Sequence, residues 1–241
     1  MNAKDFDAVA QSHGWQGWGE RQKIVLLYVL LLAGGLWHVL GWFTELMRVL
    51  AGPMMMALAL FLSWENANYY GKPENHHKNG LLRWWLFTVA VLVSAFFLEY
   101  GGVKSGKIFG IYSYGMVLQP QIQGVPVAIS FAWLIMICSS AGIAVQLTKG
   151  RDNVSFWLLI ALTALLMVVF DWIMEPAAVK LGYWHWQDHH IPLQNYLAWL
   201  GFSLLYSLAA AKMGLFSAGM PALNRHAWIA QILYFLLVRL S

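Results

Sequence analysis

The sequence predicts an all-α, polytopic membrane bundle of about seven transmembrane helices, and three observations predict it. Of the 241 residues, 60% are hydrophobic and only 11% charged, with mean hydropathy +0.57; a soluble domain carries about 25% charged residues. The apolar residues fall into stretches of crossing length, since a helix needs about 20 residues to traverse about 30 Å of hydrocarbon. Lysine and arginine gather in alternate connections, as the positive-inside rule requires.

Residues 1–23 are polar and mixed in charge. They read as an N-terminal cytoplasmic or interfacial segment. Phe6, Val9, Trp15 and Trp18 give it either a short amphipathic surface piece or a disordered lead. The apolar run that follows is too long for the h-region of a cleavable signal. Residues 24–241 then read as one transmembrane helical domain. The first span is Ile24–Phe43. The second, Leu46–Trp64, is interrupted by Arg48 and Pro53. The third is Leu81–Leu98, the fourth Val125–Val145, the fifth Val154–Met174 and the sixth Leu193–Ala211. The seventh, Ala227–Val238, is short.

Ten basic residues fall on the N-terminal side of such a bundle: Lys4, Arg21, Lys23, Lys72, Lys78, Arg83, Lys149, Arg151, Lys212 and Arg225. Five fall on the other: Arg48, Lys104, Lys107, Lys180 and Arg239. This favours a multi-pass protein of the cell membrane with a cytoplasmic N-terminus. Net charge is +4 and pI about 9.2, but no basic cluster of the density that nucleic acid requires is present. Cys138 is the single cysteine, so no intramolecular disulfide forms.

Glu99, Asp171 and Glu175 each close an apolar stretch. A carboxylate at a helix centre costs about 2.5–3.5 kcal/mol on insertion scales, so it faces protein or a wet cavity. Asp171 and Glu175 are four apart and share a helical face. At a helix C-terminus carboxylates oppose the macrodipole, which makes them poor choices for stability alone. Pro176 disfavours helical geometry at Glu175 and is expected to stop the helix there. The loops after spans three and five fall on the same side of a seven-span bundle, so the three acids can share one cavity. Both loops mix Gly with Tyr, Phe and Trp and are expected to fold back over the bundle.

Several patterns imitate other chemistry. Gly101, Gly106 and Lys107 have P-loop spacing, but Ile108 stands where Ser or Thr must hold magnesium. His185, His189 and His190 imitate one box of a di-iron oxygenase, yet no second box follows; an interfacial His/Trp cluster is the simpler reading. No lysine lies mid-span, as a retinal Schiff base would need. Glu65 reads as a link between helix ends before it reads as a proton carrier.

Glu99-Tyr100-Gly101, Ser105 to Gly110, Tyr112-x-Tyr114 and Gly124-Val125-Pro126 through Trp133 resemble the first signature of the carotenoid biosynthesis membrane proteins, a family that includes carotenoid hydratases acting on acyclic ends. Asp171-x3-Glu175-Pro176, Gly182-Tyr183-Trp184-x-Trp186 and Ile191-Pro192-x2-Asn195-Tyr196-x2-Trp199 resemble the second. The resemblance extends over residues 24–240. It implies a hydro-lyase that adds water to the terminal C=C of an acyclic carotenoid or related isoprenoid lipid, without metal or other cofactor. Glu99, Asp171 and Glu175 would supply acid and base. Tyr112, Tyr114, Trp133, Tyr183, Trp184, Trp186 and Asn195 would hold substrate. Membrane lipids, and other enzymes of the carotenoid pathway, are the expected partners. Two alternatives stay open: an isoprenoid-binding or transport protein without chemistry, and a metal-dependent lipid oxidoreductase using the His185–His190 cluster.

Overall fold

A computed structural model describes residues 19–75, 79–149, 156–187, 189–216 and 219–241. The expectations for the N-terminal segment lie almost wholly outside the described residues. Among those residues the chain forms seven long helices: α1 Glu20–Leu40, α2 Thr44–Tyr70, α3 Gly80–Ser105, α4 Val127–Thr148, α5 Phe156–Lys180, α6 Leu193–Lys212 and α7 Ala222–Leu240. The fold is an all-α bundle. The first five of these helices are long and apolar enough to cross a membrane by length and composition.

The second element is firmer than the sequence suggests, and the weaker pair is α6 and α7. Pro53 lies inside a 27-residue helix of mean hydropathy 1.8 over its best window. Arg48 sits in the exposed first turns, 3.7 Å from Glu45, so neither residue interrupts the span. Pro176 likewise does not end α5, which continues to Lys180. Proline is tolerated inside membrane helices where neighbours re-satisfy the freed backbone. α3 runs on past Glu99 to Ser105. Glu99 and Glu175 therefore sit within helices, not at their ends.

α4 is apolar all round, the mark of a buried helix. Trp133, Leu134, Ile135, Met136, Ile137 and Cys138 are consecutive and all buried. Helices α2, α3, α5 and α7 pack around it, while α1 lies against α7. One end of the bundle is fastened by polar links. Lys23 Nζ lies 2.8 Å from both oxygens of Glu65, which gives Glu65 the linking role. Asn66 and Asn224 exchange two amide hydrogen bonds of 3.0 Å while fully buried. Trp84 donates to Ser63 O at 2.9 Å and Tyr70 donates to Leu215 O. Each link satisfies a polar group that would be costly if left alone.

The other end carries the two long connections. Gly106 ends α3 in the left-handed conformation (φ +63°), which a Cβ would disfavour. The chain then turns back, burying Phe109 and Leu118, and forms β1 Tyr112–Tyr114, followed by the small hairpin β2 Gln121–Ile122 and β3 Val125–Pro126. After α5, β4 Trp184–Trp186 pairs antiparallel with β1: Tyr112 faces Trp186, Ser113 faces His185 and Tyr114 faces Trp184. The two motif loops are thus one ribbon over the bundle end. Gly101 and Gly106 serve helix packing and termination, not a phosphate cradle.

Candidate active site

Side chains alternate along a strand. In β1 the alternation turns Tyr112 and Tyr114 to one face, and in β4 it turns Trp184 and Trp186 to the same face and His185 outward. The inward face meets Glu99 and Glu175, and Asp171 lies one helical turn from Glu175. Glu99, Asp171 and Glu175 are 5%, 0% and 2% exposed.

Glu99 accepts three hydrogen bonds. Tyr112 and Tyr114 donate to Oε2 at 2.5 and 2.8 Å, and Trp133 Nε1 donates to Oε1 at 2.8 Å. Burial, and then the neighbouring Glu99, push both tyrosine hydroxyls well above their ordinary range. They stay donors. Gly102 permits this approach: a Cβ there would come within 3.0 Å of the Tyr112 hydroxyl and 2.8 Å of Phe109.

Glu175 accepts from Trp184 Nε1 at 2.9 Å and Trp186 Nε1 at 3.1 Å, both on Oε2. Asn195 Nδ2 bridges the two acids of α5, lying 2.8 Å from Asp171 Oδ2 and 3.4 Å from Glu175 Oε1. Asp171 Oδ1 is buried without a hydrogen-bond partner. Tyrosine, tryptophan and asparagine side chains, not lysines, are the partners of all three acids.

Glu99, Glu175, Tyr112, Tyr114, Trp184, Trp186, Asn195, Phe109, Ile129 and Trp199 line one partly open cavity. Its space for the centre of a water-sized sphere is ≈ 30 Å³, enough for about two waters. Three predicted residues stand off its wall. Asp171 lies behind it, one helical turn from Glu175 and joined through Asn195. Trp133 is stacked behind Trp199, ring centroids 3.8 Å apart. Tyr183 lies beside Tyr234 and is not part of the wall. Asn195 holds carboxyls. Phe109, Ile129 and Trp199 are wall residues that the sequence reading left out. For Trp199 the signal was present, since it is four residues from Asn195 and shares its helix face. Among the described residues no three His, Cys, Asp or Glu side chains converge as in a metal centre.

The site is a small cavity with two buried carboxyls and several aromatic rings on its wall and a third carboxyl behind it. The chain belongs to the carotenoid biosynthesis protein family, whose model matches residues 45–240. The matched stretch holds every residue of the site and omits α1, so it is shorter than the resemblance at residues 24–240 implied. The chain is also similar to bisanhydrobacterioruberin hydratase of Haloarcula japonica, 29% identical over 119 residues. That alignment spans 48% of this chain and 40% of the relative's length. No solved structure matches the chain.

Proposed function

We propose that the protein is a carotenoid hydratase, adding water across the terminal C=C of an acyclic carotenoid. The observation that carries this is one cavity walled by two differently supported carboxyls and by aromatic rings, with room for water. Glu99, with three donors, is built to be an acceptor-only carboxylate. Glu175 and Asp171 are buried together and bonded only by neutral groups, so they share a proton; two bare buried charges bridged by one amide would be far costlier. Glu175 faces the cavity and hands that proton to the less substituted alkene carbon. The π pair forms the new C–H bond and leaves a tertiary cation. The faces of Tyr112, Trp184, Trp186 and Trp199 stabilise it. A cavity water adds its lone pair to the cation and loses a proton to Glu99. Glu99 then returns the proton to Glu175 through the remaining cavity water, which restores both groups.

The decisive test is expression in a host that accumulates lycopene, followed by pigment mass. A gain of about one or two waters per molecule is expected; unchanged pigment with the protein present in the membrane would sink the reading. Activity should also survive chelators, both before and after His185, His189 and His190 are replaced by Gln. Stoichiometric iron or zinc that disappears with those histidines would favour the oxidoreductase instead.

The proposed orientation places the N-terminus in the cytoplasm and the ribbon end outside. Reporter fusions near residues 110 and 185 should therefore respond as external, and those near 75 and 150 as cytoplasmic. External reporters at 75 and 150 would reverse it.

A further inference from the structure

The cavity raises a question of access. Its free space is water-sized, so the wall must part for an isoprenoid end to sit beside that water, and its wall residues are almost all buried. Four helices surround it. α3 packs along α4, α4 along α5 and α5 along α6, whereas α6 and α3 meet over only a short stretch. The ring of helices is therefore weakly closed on one side.

Gln194 Nε2, at the start of α6, donates to Lys107 O and Ile108 O just past the end of α3, and two further contacts span that side. Ser94 Oγ and Tyr206 Oη are 2.9 Å apart across the helices, and the rings of Phe109 and Phe202 lie 6.4 Å apart. Phe109 and Trp199 belong to the cavity wall. Trp199, Phe202 and Tyr206 follow one another at i, i+3 and i+7 on α6, a stripe about 10 Å long. Trp133 stacks on Trp199 and meets Tyr206 edge-on at 5.8 Å, which backs the stripe. On the lipid side the seam is apolar and open. Phe97, one helical turn from Ser94, is 64% exposed.

We infer that the seam between α3 and α6 is a lateral port and binding groove for the unreacted remainder of the isoprenoid chain, with the Ser94–Tyr206 hydrogen bond as its latch. The inference rests on the isoprenoid reading of the cavity. The occupant follows from continuity: an apolar molecule whose reacting end sits between Glu99 and Glu175 must leave its remaining length somewhere. The aromatic stripe leads from the cavity wall along the helices, parallel to lipid. Away from the Gln194 link at the start of α6, one hydroxyl pair and one ring contact close the seam, and they can part without unpacking the bundle.

The test uses the full-length protein in membranes and two photoreactive probes: an acyclic polyisoprenoid carrying a diazirine, and a phosphatidylcholine with a diazirine on its acyl chain. The polyisoprenoid should label peptides containing Ser94, Phe97, Phe202 and Tyr206, and excess unlabelled polyisoprenoid should suppress this at least tenfold. Ser94→Trp, which fills the seam at the latch, should reduce the labelling at least tenfold, while Val29→Trp, on the exposed face of α1, should leave it unchanged. The acyl probe should label lipid-facing helices generally. Equal labelling of the seam by both probes, or polyisoprenoid labelling concentrated on α1 and α2, would overturn the port. Mapping in the unsubstituted protein decides the matter even if Ser94→Trp does not fold. Seam labelling without any hydration would retain the port and remove the hydratase reading; hydration without seam labelling would do the reverse.

Discussion

Glu175→Gln is expected to lower hydration by about 10²-fold or more, the usual contribution of a positioned acid or base. The substitution keeps volume and fold. Glutamine retains a carbonyl oxygen for the two indole N–H groups of Trp184 and Trp186, now at 2.9 and 3.1 Å. Asn195 keeps its shorter bond to Asp171 at 2.8 Å. What disappears is the transferable proton on the cavity wall. Asp171→Asn is expected to cost about tenfold or more, in kcat and not KM, because Asp171 works through Glu175 and does not touch the substrate end. Both variants should insert, since neutral amides are cheaper than charges near lipid. The measurement is hydrated product formed by purified protein per unit time. Full activity in both amide variants would remove carboxyl-mediated protonation from consideration.

How much of this was legible in the sequence differs by kind of feature. The helices were, because long apolar stretches leave few alternatives in a chain with so few charges. Their ends were not. Glu99 and Glu175 look terminal because polarity changes there, yet the helices run on beneath a ribbon that shields them. The carboxyls stood out by type, since an acid in an apolar run has to be explained. Their partners followed only loosely. Tyr112 and Tyr114 occupy alternate strand positions, as do Trp184 and Trp186, but nothing local says that the two strands pair with each other. Asp171 could be placed on the face of Glu175 by its spacing. Its position behind the wall depends on Asn195, which reaches in from a different helix. Trp199 was within reach of the same four-residue spacing, whereas Ile129 carries no chemical signal and is found only by packing.

Glu99→Gln should separate the two halves of the reaction. As a carboxylate, Glu99 is an acceptor for Tyr112, Tyr114 and Trp133 at 2.5, 2.8 and 2.8 Å. Its role is to take the proton from the attacking water. A glutamine can still hold the ring donors on its carbonyl, and the tyrosine hydroxyls can turn to accept from its amide. It cannot take the proton. Hydration is expected to fall by about 10²-fold or more, yet Glu175 keeps its proton and still reaches the alkene. The cation then has no activated water and collapses by returning a proton to Glu175. In deuterated water the recovered carotenoid should therefore gain deuterium at its terminal unit without gaining mass as alcohol. Glu175→Gln should show neither exchange nor hydration. Tyr112→Phe and Tyr114→Phe each remove one donor to Glu99 and should destabilise its resting carboxylate by about 1.5–3 kcal/mol, the worth of a hydrogen bond to a charged group, which favours the protonated, inactive form and lowers hydration. Mass spectrometry of recovered substrate and product reads both outcomes in one sample. Exchange that persists in Glu175→Gln but vanishes in Glu99→Gln would reverse the two roles, making Glu99 the donor and Glu175 the base. Hydration at the full rate in Glu99→Gln would remove it from the chemistry altogether.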